Sequence, residues 1–538
     1  MKKIVLVSGK ICSGKSSLAE LFHEKYEYKI LKSSELLKNY AQDKGVKQER
    51  KALQLFGEKL DEETNDRWLF DELINAINQY PHAGFFIDAV RSVKQIDHIR
   101  QFFGRNVVHV HLVTPNDILE ERYEQRKIEG AKIQECQSYY AATQNNLEIK
   151  INELKDLADI VIDTSKTSKK DMYIPVAARL GLLSNPYDRL VDVIIGGEYG
   201  SEGKGNICSY LAPEYDVLVR VGGPNAGHSV YAEPKPYVFH QLPSGAMTNK
   251  KGKLIIAPGS VINPFILLKE IKDLEIGPGR LLIDSNAMII EERDIDFEKE
   301  LVDNIGSTGQ GVGSATARKI VGRSSHETKL AKNVPELTDY ICDTGEMLEK
   351  CYIGGEKILI EGTQGTELSI HHGQYPYVTS RDTTVAGCLS EAGISPSRVK
   401  NIIMVVRTYP IRVESPTNGT SGPIEKEISW EDIAYRSGIS ILELNEKEKT
   451  STTQRKRRVG EFDWRLFRKA CSLNAPTDIA LTFVDYMNIK NRDARRYGQL
   501  TQETVEFIEE LEIVARAPVS IINTCFASRS IIDRRHWF

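Results

Sequence analysis

Short apolar runs separated by longer amphipathic segments set the pattern of the first third of the chain. Residues 4–7 form a β-branched run, which is followed by a glycine-rich turn and a helical pattern over 15–26. Helical periodicity also covers 50–79, and further apolar runs occur at 85–87, 107–113 and 160–162. Strands that alternate with helices predict a parallel sheet with helices on both faces.

A second series of the same kind opens with the apolar run 191–195 and its own glycine-rich turn. The intervening segment 166–190 is rich in Ser, Thr and Lys at its start and contains Asn185-Pro186, which is typical of a junction. We therefore expect an α/β protein of two domains, 1–182 and 189–538, each a mainly parallel sheet flanked by helices. The 538 residues, 41% hydrophobic and 27% charged, allow two cored domains.

Charge and cysteine content narrow the class of protein. A net charge of −4 excludes a global basic field, so we expect no nucleic-acid partner. No apolar run approaches the roughly 20 residues that span a bilayer, so we expect no membrane association. The run after Met1-Lys2-Lys3 is too short for a signal peptide and fits a buried first strand. Eight cysteines without a CxxC pair suit free thiols, so we expect a cytoplasmic protein.

A complete phosphate-binding motif follows the first apolar run. The segment from Gly9 to Ser16 fits G-x-x-x-x-G-K-[ST], with a predicted strand before it and a predicted helix after it. Its glycines let backbone N–H groups surround phosphate oxygens, and the helix N-terminus adds its dipole. Lys15 would bind the β- and γ-phosphates, and Ser16 would ligate Mg²⁺. The predicted nucleotide-binding residues are Gly9, Gly14, Lys15, Ser16 and Ser17.

Charged residues beyond this motif indicate the kind of P-loop protein. Asp88 and Arg91 follow a predicted strand at the edge where parallel sheets bind ligands. Arg122 and Arg126 are four residues apart, on one face of a predicted helix. Each arginine taken alone is equally typical of a solvated surface charge.

This ensemble resembles the small P-loop kinases of nucleoside and deoxynucleoside monophosphates, over residues 1–182. The resemblance implies an acceptor-nucleotide site formed by Arg50, Asp88 and Arg91. It also implies that Arg122 and Arg126 are lid arginines that clamp the transferring phosphoryl group. A nucleotide-sensing domain that has kept the kinase fold is the alternative.

The second glycine-rich turn, at 196–206, does not fit the first motif but again joins a strand, a lysine and a helix. It reads Gly-Gly-Glu-Tyr-Gly-Ser-Glu-Gly-Lys-Gly-Asn, with Lys204 at the predicted helix start. This arrangement suits an anion. Further along, Arg220-Val-Gly-Gly-Pro-Asn-Ala-Gly-His228 places a histidine in a turn, where a core role is unexpected.

These segments together resemble adenylosuccinate synthetase from about residue 189 to the end of the chain. The family carries a Gly-Asp-Glu-Gly-Lys-Gly loop and a Gly-Gly-x-Asn-Ala-Gly-His turn. Further blocks follow in family order: Leu242-Pro-Ser-Gly245, Ile305-Gly-Ser-Thr-Gly-Gln-Gly-Val-Gly313, Glu361-Gly-Thr-Gln-Gly-Thr366, Tyr375-Pro-Tyr-Val-Thr-Ser380 and Thr452-Thr-Gln-Arg-Lys-Arg-Arg458.

The resemblance implies a reaction and a set of residues. The family transfers the γ-phosphoryl group of a nucleotide to O6 of a purine monophosphate, and the amine of L-aspartate then displaces the phosphate. Lys204 would hold the γ-phosphate, His228 would bind the donor phosphates as a cation, and Gln364 would contact O6. The Gly227 carbonyl would help to hold Mg²⁺. The purine-monophosphate site would contain Asn225, Thr308 and Thr379.

The basic run 452–458 has two interpretations. In isolation, such a run is most often a solvated face or a nucleic-acid patch. In family order it corresponds to the amino-acid loop, where arginines bind carboxylates in bidentate fashion. The resemblance then assigns aspartate binding to Thr452, Thr453, Arg455 and Arg457.

The chain departs from the family at three places. Ser201 stands where the family has its general-base aspartate, as in phage synthases that make 2-amino-deoxyadenylosuccinate from dGMP. The guanine-reading Thr-Lys-x-Asp segment is Thr482-Phe483-Val484-Asp485, so ATP or dATP becomes plausible beside GTP, with Asp485 kept as a base-binding residue. Arg323 is one place out of register with the arginine that a partner subunit supplies, although the family implies a homodimer.

These features leave three functions open. The first is a bifunctional enzyme that joins an aspartate-ligating synthase, favouring dGMP, to a monophosphate kinase. The second is an ordinary adenylosuccinate synthetase that uses IMP. The third is a nucleotide-sensing protein, for instance in phage defence, that binds nucleotides without turnover.

Overall fold

The computed structural model describes residues 3–47, 49–128, 138–143, 151–233, 235–324, 328–415, 420–450, 454–527 and 530–537. The chain divides into two units, Met1–Leu183 and Ser184–Phe538. Each is built on a mainly parallel sheet flanked by helices, which confirms the predicted fold class. Within these described ranges, no helix is long and apolar enough to cross a membrane.

The first unit contains a five-stranded sheet in which every strand is parallel to its neighbours. In sheet order, the strands are Lys29–Lys32, Phe85–Asp88, Ile4–Gly9, Val107–Val113 and Ile160–Asp163. The predicted first strand is therefore the buried centre of the sheet, and the phosphate loop leaves from its carboxyl end.

Helices cover both faces of this sheet, since separate apolar clusters pack on either side of its central strand. The α-helices are Lys15–Tyr26, Ser33–Asp43, Arg50–Thr64, Trp68–Gln79, Val93–Phe103, Asn116–Ile128, Tyr139–Thr143 and Ile174–Leu180. The last of these lies inside the segment expected to be a junction. Its Val176, Ala177 and Leu180 are buried in the core of the first unit, so this part of the segment is packed structure.

The second unit contains a ten-stranded sheet that is parallel except for its last pair. In sheet order, the strands are Ile341–Cys342, Leu281–Asp284, Lys253–Ile256, Val217–Arg220, Ile358–Gly365, Val191–Gly196, Val399–Arg407, Asp478–Thr482, Val519–Asn523 and Ile531–Asp533. The five strands from Val217–Arg220 to Asp478–Thr482 are consecutive neighbours, so the segments that leave their carboxyl ends meet at one edge.

Eleven α-helices are assigned among the described residues of the second unit: Lys204–Leu211, Pro264–Asp273, Glu292–Phe297, Lys299–Ile305, Val312–Val321, Thr344–Gly354, Val385–Ala392, Trp430–Ser437, Ile441–Lys447, Trp464–Asn474 and Gln502–Ala515. Three small sheets complete it. They are Val261–Ile262 with Met288–Ile289, His228–Val230 with Tyr237–Phe239, and Ile411–Val413 with Arg457–Gly460 and Glu427–Ile428.

Candidate nucleotide sites

The phosphate loop of the first unit contains three residues with positive φ, beginning with Gly9 at 141°. Cys12 has φ of 63° and Gly14 has φ of 101°, and the helix begins at the next residue, Lys15. The Lys15 ammonium donates to the carbonyls of Gly9 and Lys10, each at 2.7 Å. The lysine therefore lies over the loop, where it can exchange carbonyl contacts for phosphate oxygens.

Ser16 and Asp88 come together at the start of the same helix. The Ser16 hydroxyl donates to a carboxylate oxygen of Asp88 at 2.8 Å. Asp88 reaches it because the strand Phe85–Asp88 pairs with the central strand, with Asp88 opposite Val7. The pair supplies the hard oxygen atoms that Mg²⁺ prefers, which fits a metal site at the loop.

Two predicted arginines share a cleft with the phosphate loop. Arg122 and Arg126 line a cavity of about 450 Å³ together with Gly14 and Ser17. The Arg122 guanidinium donates to the hydroxyl and carbonyl oxygens of Thr164, at 2.9 and 2.8 Å. Arg122 and Arg126, which were predicted to share one helix face, thus both lie near the phosphate loop, and their role as lid arginines stays a prediction.

The two other predicted acceptor residues are less informative. Arg91 is half-buried just beyond the strand that carries Asp88. Arg50 begins the helix Arg50–Thr64, but its side chain lies outside the described residues. Their role in acceptor binding stays a prediction.

A buried polar cluster beneath the loop was not expected from sequence. The Ser8 hydroxyl, one residue before Gly9, bonds with His109 Nε2 at 2.7 Å and His111 Nδ1 at 2.8 Å. Burial lowers the pKa of both histidines to about 4, so both are neutral at pH 7. The only sequence signal was the alternation of histidine with valine and leucine in 107–113.

The glycine-rich loop of the second unit carries its own ion pair. The Lys204 ammonium donates to a Glu202 carboxylate oxygen at 2.6 Å, and both side chains are almost fully buried. The other Glu202 oxygen accepts from the backbone N–H groups of Glu198 and Gly200. Ser201 is exposed beside this pair with φ of 58°. Glu202 therefore holds both the loop and its lysine.

His228 rests on a buried carboxylate. Its Nδ1 hydrogen-bonds to Glu361, which also accepts from the Arg220 guanidinium at 3.2 Å and from the Ser244 backbone N–H at 2.6 Å. Burial and the nearby Arg220 cation lower the pKa of His228 to about 4, although Glu361 acts in the opposite direction. The cationic charge of Arg220, together with His228 and Ser244, holds the pKa of Glu361 at about 2 despite its burial. The imidazole is therefore neutral in the absence of ligand. The negative charge of bound donor phosphates would be needed to protonate it.

Three of the predicted purine-monophosphate residues contact one another or Gln364, the residue predicted to contact O6. The Thr308 hydroxyl donates to the Asn225 amide oxygen at 3.0 Å. The Gln364 amide donates to the Thr379 hydroxyl at 2.7 Å. Arg323 is exposed in the short turn Gly322–Ser324.

The predicted dicarboxylate loop is described only in part. Thr452 and Thr453 lie outside the described residues. Arg455 donates to the Ser307 carbonyl at 3.3 Å, next to Thr308. Arg457 pairs with the buried Glu448 at 2.9 Å. The described arginines of this loop thus reach the block that carries Thr308 and the interior of the unit.

Arg407 connects several parts of this site. It is fully buried at the end of the strand Val399–Arg407 and donates to the carbonyl of Ser201 at 3.3 Å and to Glu448 at 3.1 Å. Its guanidinium lies 4.1 Å from the centroid of the Phe483 ring, which is a cation–π contact. The Arg407 and Arg457 cations keep the pKa of the buried Glu448 at about 2.

The donor-base segment follows the strand Asp478–Thr482. Phe483 has φ of 59°, and one face of its ring is covered by Arg407. Asp485 is buried and pairs with Arg492 at 3.4 Å. Burial raises the pKa of Asp485 to about 6 against the opposing attraction of Arg492. The aspartate kept from the family pattern is thus already engaged on one side by a cation.

Sequence reasoning missed several of these residues. Glu202 and Glu361 lie inside quoted blocks, and their position next to Lys204 and the glycine turn was the available signal. Glu448 and Arg492 lie outside every block. Their partners, Arg407 and Glu443, are 41 and 49 residues away in sequence. No local pattern predicts such pairs.

The fold and these sites define an α/β protein with two glycine-rich loops, each of which precedes a helix as phosphate-binding loops do. The profile of the adenylosuccinate synthetase family matches residues 193–333 and 323–492. The adenylosuccinate synthetase of Methanocaldococcus jannaschii is 38% identical over 353 residues, 64% of this chain and 96% of the relative. The chain therefore belongs to the adenylosuccinate synthetase family of ligases.

Two solved structures cover 64% of this chain each. A fully ligated adenylosuccinate synthetase from Plasmodium falciparum has 23% identity and a TM-score of 0.57, over 100% of that chain. The succinoaminodeoxyadenylate synthetase of cyanophage S-2L, bound to dGMP and to dATP as an energy donor, has 28% identity and a TM-score of 0.54, over 96% of that chain. The profile of an AAA domain matches residues 5–153 of the first unit.

Proposed function

We propose that the second unit ligates L-aspartate to C6 of dGMP and forms 2-amino-deoxyadenylosuccinate. The observation that carries this choice is Ser201, a small neutral residue exposed on the phosphate loop of an otherwise assembled site. An aspartate there would crowd the 2-amino group of guanine. The cyanophage relative bound to dGMP supports the same acceptor.

The reaction needs positioning and charge more than covalent chemistry from the protein. O6 of the purine attacks the γ-phosphorus of the donor, the bond from that phosphorus to the departing nucleoside diphosphate breaks, and the N1 proton leaves to water. The amine of aspartate then attacks C6, and O6 departs with the phosphate. Lys204 binds the γ-phosphate when its ammonium group is shared between Glu202 and the phosphate. His228 donates a hydrogen bond to the donor phosphates. Gln364 contacts O6.

Magnesium fits this site through oxygen ligands. The Gly227 carbonyl lies next to His228, and the nucleotide phosphates and water complete a set of hard ligands. Bound Mg²⁺ neutralises phosphate charge during transfer. Ser201 offers only a hydroxyl in place of a carboxylate, so the metal depends more on the phosphates than in aspartate-bearing relatives.

Aspartate binding falls to the loop that carries Arg455 and Arg457, with Thr452 and Thr453 beside them. Glu448 forms ion pairs with both Arg457 and Arg407. One carboxylate therefore neutralises only part of the charge of two guanidinium groups. The pocket therefore keeps a net positive charge for a dicarboxylate.

The first unit is proposed to phosphorylate a nucleoside or deoxynucleoside monophosphate. Lys15 binds the donor phosphates, Ser16 and Asp88 hold Mg²⁺, and Arg122 and Arg126 stabilise the transferring phosphoryl group. This moves Asp88 from the acceptor site, where sequence placed it, to the metal. The homodimer that the family resemblance implies is part of the proposal, with the exposed Arg323 as the arginine that a second subunit would share.

Purified full-length protein tests the synthase function directly. It should release phosphate from ATP only when dGMP, L-aspartate and Mg²⁺ are all present, and mass spectrometry should find the aspartate adduct. Arg457→Met should abolish turnover, and Arg465→Met, at an exposed arginine, should keep it. Turnover with IMP but not dGMP would favour the ordinary synthetase. Nucleotide binding without any adduct would favour the sensor.

A further inference from the structure

The two carboxylate oxygens of Asp485 have different surroundings. Oδ2 accepts from the Arg492 guanidinium at 3.4 Å. Oδ1 is buried and has no hydrogen-bond partner among the described residues. An unpaired buried acceptor destabilises the folded protein unless a ligand donates a hydrogen bond to it. Oδ1 is therefore the oxygen at which a ligand donor would bind.

Arg492 is held in place from its other side and by its backbone. Its guanidinium pairs with Glu443 at 2.8 Å, and Glu443 is also paired with Lys447 at 2.7 Å. Its carbonyl accepts from the Thr524 hydroxyl at 3.4 Å. The arginine is therefore fixed between Asp485 and Glu443 and does not swing freely away from the aspartate.

We propose that Arg492 is a specificity-determining residue of the donor-nucleotide site, because its guanidinium donates to Oδ2 of Asp485, so that a base with two donors would have to share that oxygen with a cation. The inference rests on the proposed function of the second unit and on the placement of the donor base at Asp485, which the family resemblance implies. It predicts that Arg492 disfavours guanine as the donor base.

The edges of the two bases explain the discrimination. Guanine presents two adjacent donors, N1–H and the 2-amino group, which together fit both oxygens of an ionised carboxylate. Adenine presents one amino donor beside the N1 acceptor, which needs a single oxygen. Guanine would have to place its second donor on Oδ2 beside the Arg492 guanidinium, where a donor and a cation compete for the same oxygen, whereas adenine needs only Oδ1.

Arg492→Met removes the guanidinium and keeps most of the apolar stem, while Glu443 retains Lys447. Arg496→Met is the matched control, because Arg496 is exposed four residues further along the chain, just before the short helix Tyr497–Gln499. The ratio of kcat/KM for ATP over GTP is measured with dGMP and aspartate. Affinities for non-hydrolysable ATP and GTP analogues are measured separately, from the slowing of amide exchange in 478–493, which reports on the second unit alone.

Arg492→Met should shift both ratios toward GTP by tenfold or more, and Arg496→Met should leave them unchanged. Arg492→Lys, which keeps the charge but loses the fork, should shift them in the same direction by less, and it serves if the methionine variant does not fold. A shift below tenfold in folded Arg492→Met overturns the inference. Absent turnover with a shifted binding ratio refutes the proposed function and leaves the inference standing.

Discussion

The two glycine-rich loops share a backbone plan and differ in charge. In each, a non-glycine residue with positive φ, Cys12 or Ser201, lies two residues before a left-handed glycine, and a lysine begins the helix directly after that glycine. Ser13 fills the intermediate position in the first loop, and Glu202 fills it in the second. Lys15 consequently donates to backbone carbonyls, whereas Lys204 is in a buried ion pair.

Comparison of the two loops separates the contribution of the backbone to an anion site from the contribution of the side chains. Aligned N–H groups and the helix dipole are common to both loops, so both shapes can receive a phosphate. The first loop adds the charge of Lys15, while Glu202 cancels the charge of Lys204 until a ligand competes for it. We infer that the second loop depends more strongly on Mg²⁺ and on the groups around His228.

Replacing each lysine should give the largest effects. Lys15→Ala should reduce nucleotide-kinase turnover by about 10²–10³-fold or more, as expected when a charge-stabilising donor is lost, and should leave synthase turnover unchanged. Lys204→Ala should do the reverse. Both activities are measured on the same preparation. Equal loss of both in either variant would contradict two independent phosphate sites.

The next largest effect should come from the residue between the last two positive-φ residues of each loop, Glu202 in the second loop and Ser13 in the first. Glu202→Gln leaves Lys204 as an uncompensated buried charge, which typically costs about 3–5 kcal/mol. Ser13→Ala is the matched change in the first loop, and it should cost less than about 1 kcal/mol because Ser13 Oγ has no hydrogen-bond partner among the described residues. Amide exchange of the helices Lys204–Leu211 and Lys15–Tyr26 gives the two local stabilities. Similar costs would show that the ion pair has no special weight.

These contrasts separate what sequence could predict from what it could not. The helix 15–26 and the strand 107–113 were predicted with the observed bounds, because each combines clear periodicity with nearby glycine or turn residues. The hydrogen bonds that hold the functional side chains and the loop backbone in place were not predicted. Sheet pairing brings Glu361 to His228 and Arg407 to Ser201, and each pair is more than 130 residues apart in the sequence. No local sequence pattern predicts the order of strands in the sheet.

A smaller effect should appear with pH in the first unit. His109 and His111 have pKa values lowered to about 4 by burial, so between pH 6.5 and 4 the native state binds fewer protons than the unfolded chain. Stability therefore falls as pH decreases through that window, by up to about 1.4 kcal/mol per pH unit for each histidine. Amide exchange of the strand Ile4–Gly9, corrected for the intrinsic pH dependence, measures it.

His111→Gln should remove part of this slope in the first unit, because its amide can still bond with Ser8 but does not titrate. The strands of the second unit, which contains its own His228, should keep their pH response in this variant. An unchanged slope at Ile4–Gly9 would show that the buried histidines do not set the acid stability of the first unit.

The most direct test of the central claim compares acceptors at position 201. The measurement is kcat/KM for dGMP and for IMP in the wild type and in Ser201→Asp. Aspartate tolerates the positive φ of this position, so the variant changes chemistry and not the loop. We expect the wild type to prefer dGMP and Ser201→Asp to lower dGMP use and raise IMP use. A wild type that prefers IMP, or a ratio that the substitution leaves unmoved, would contradict it.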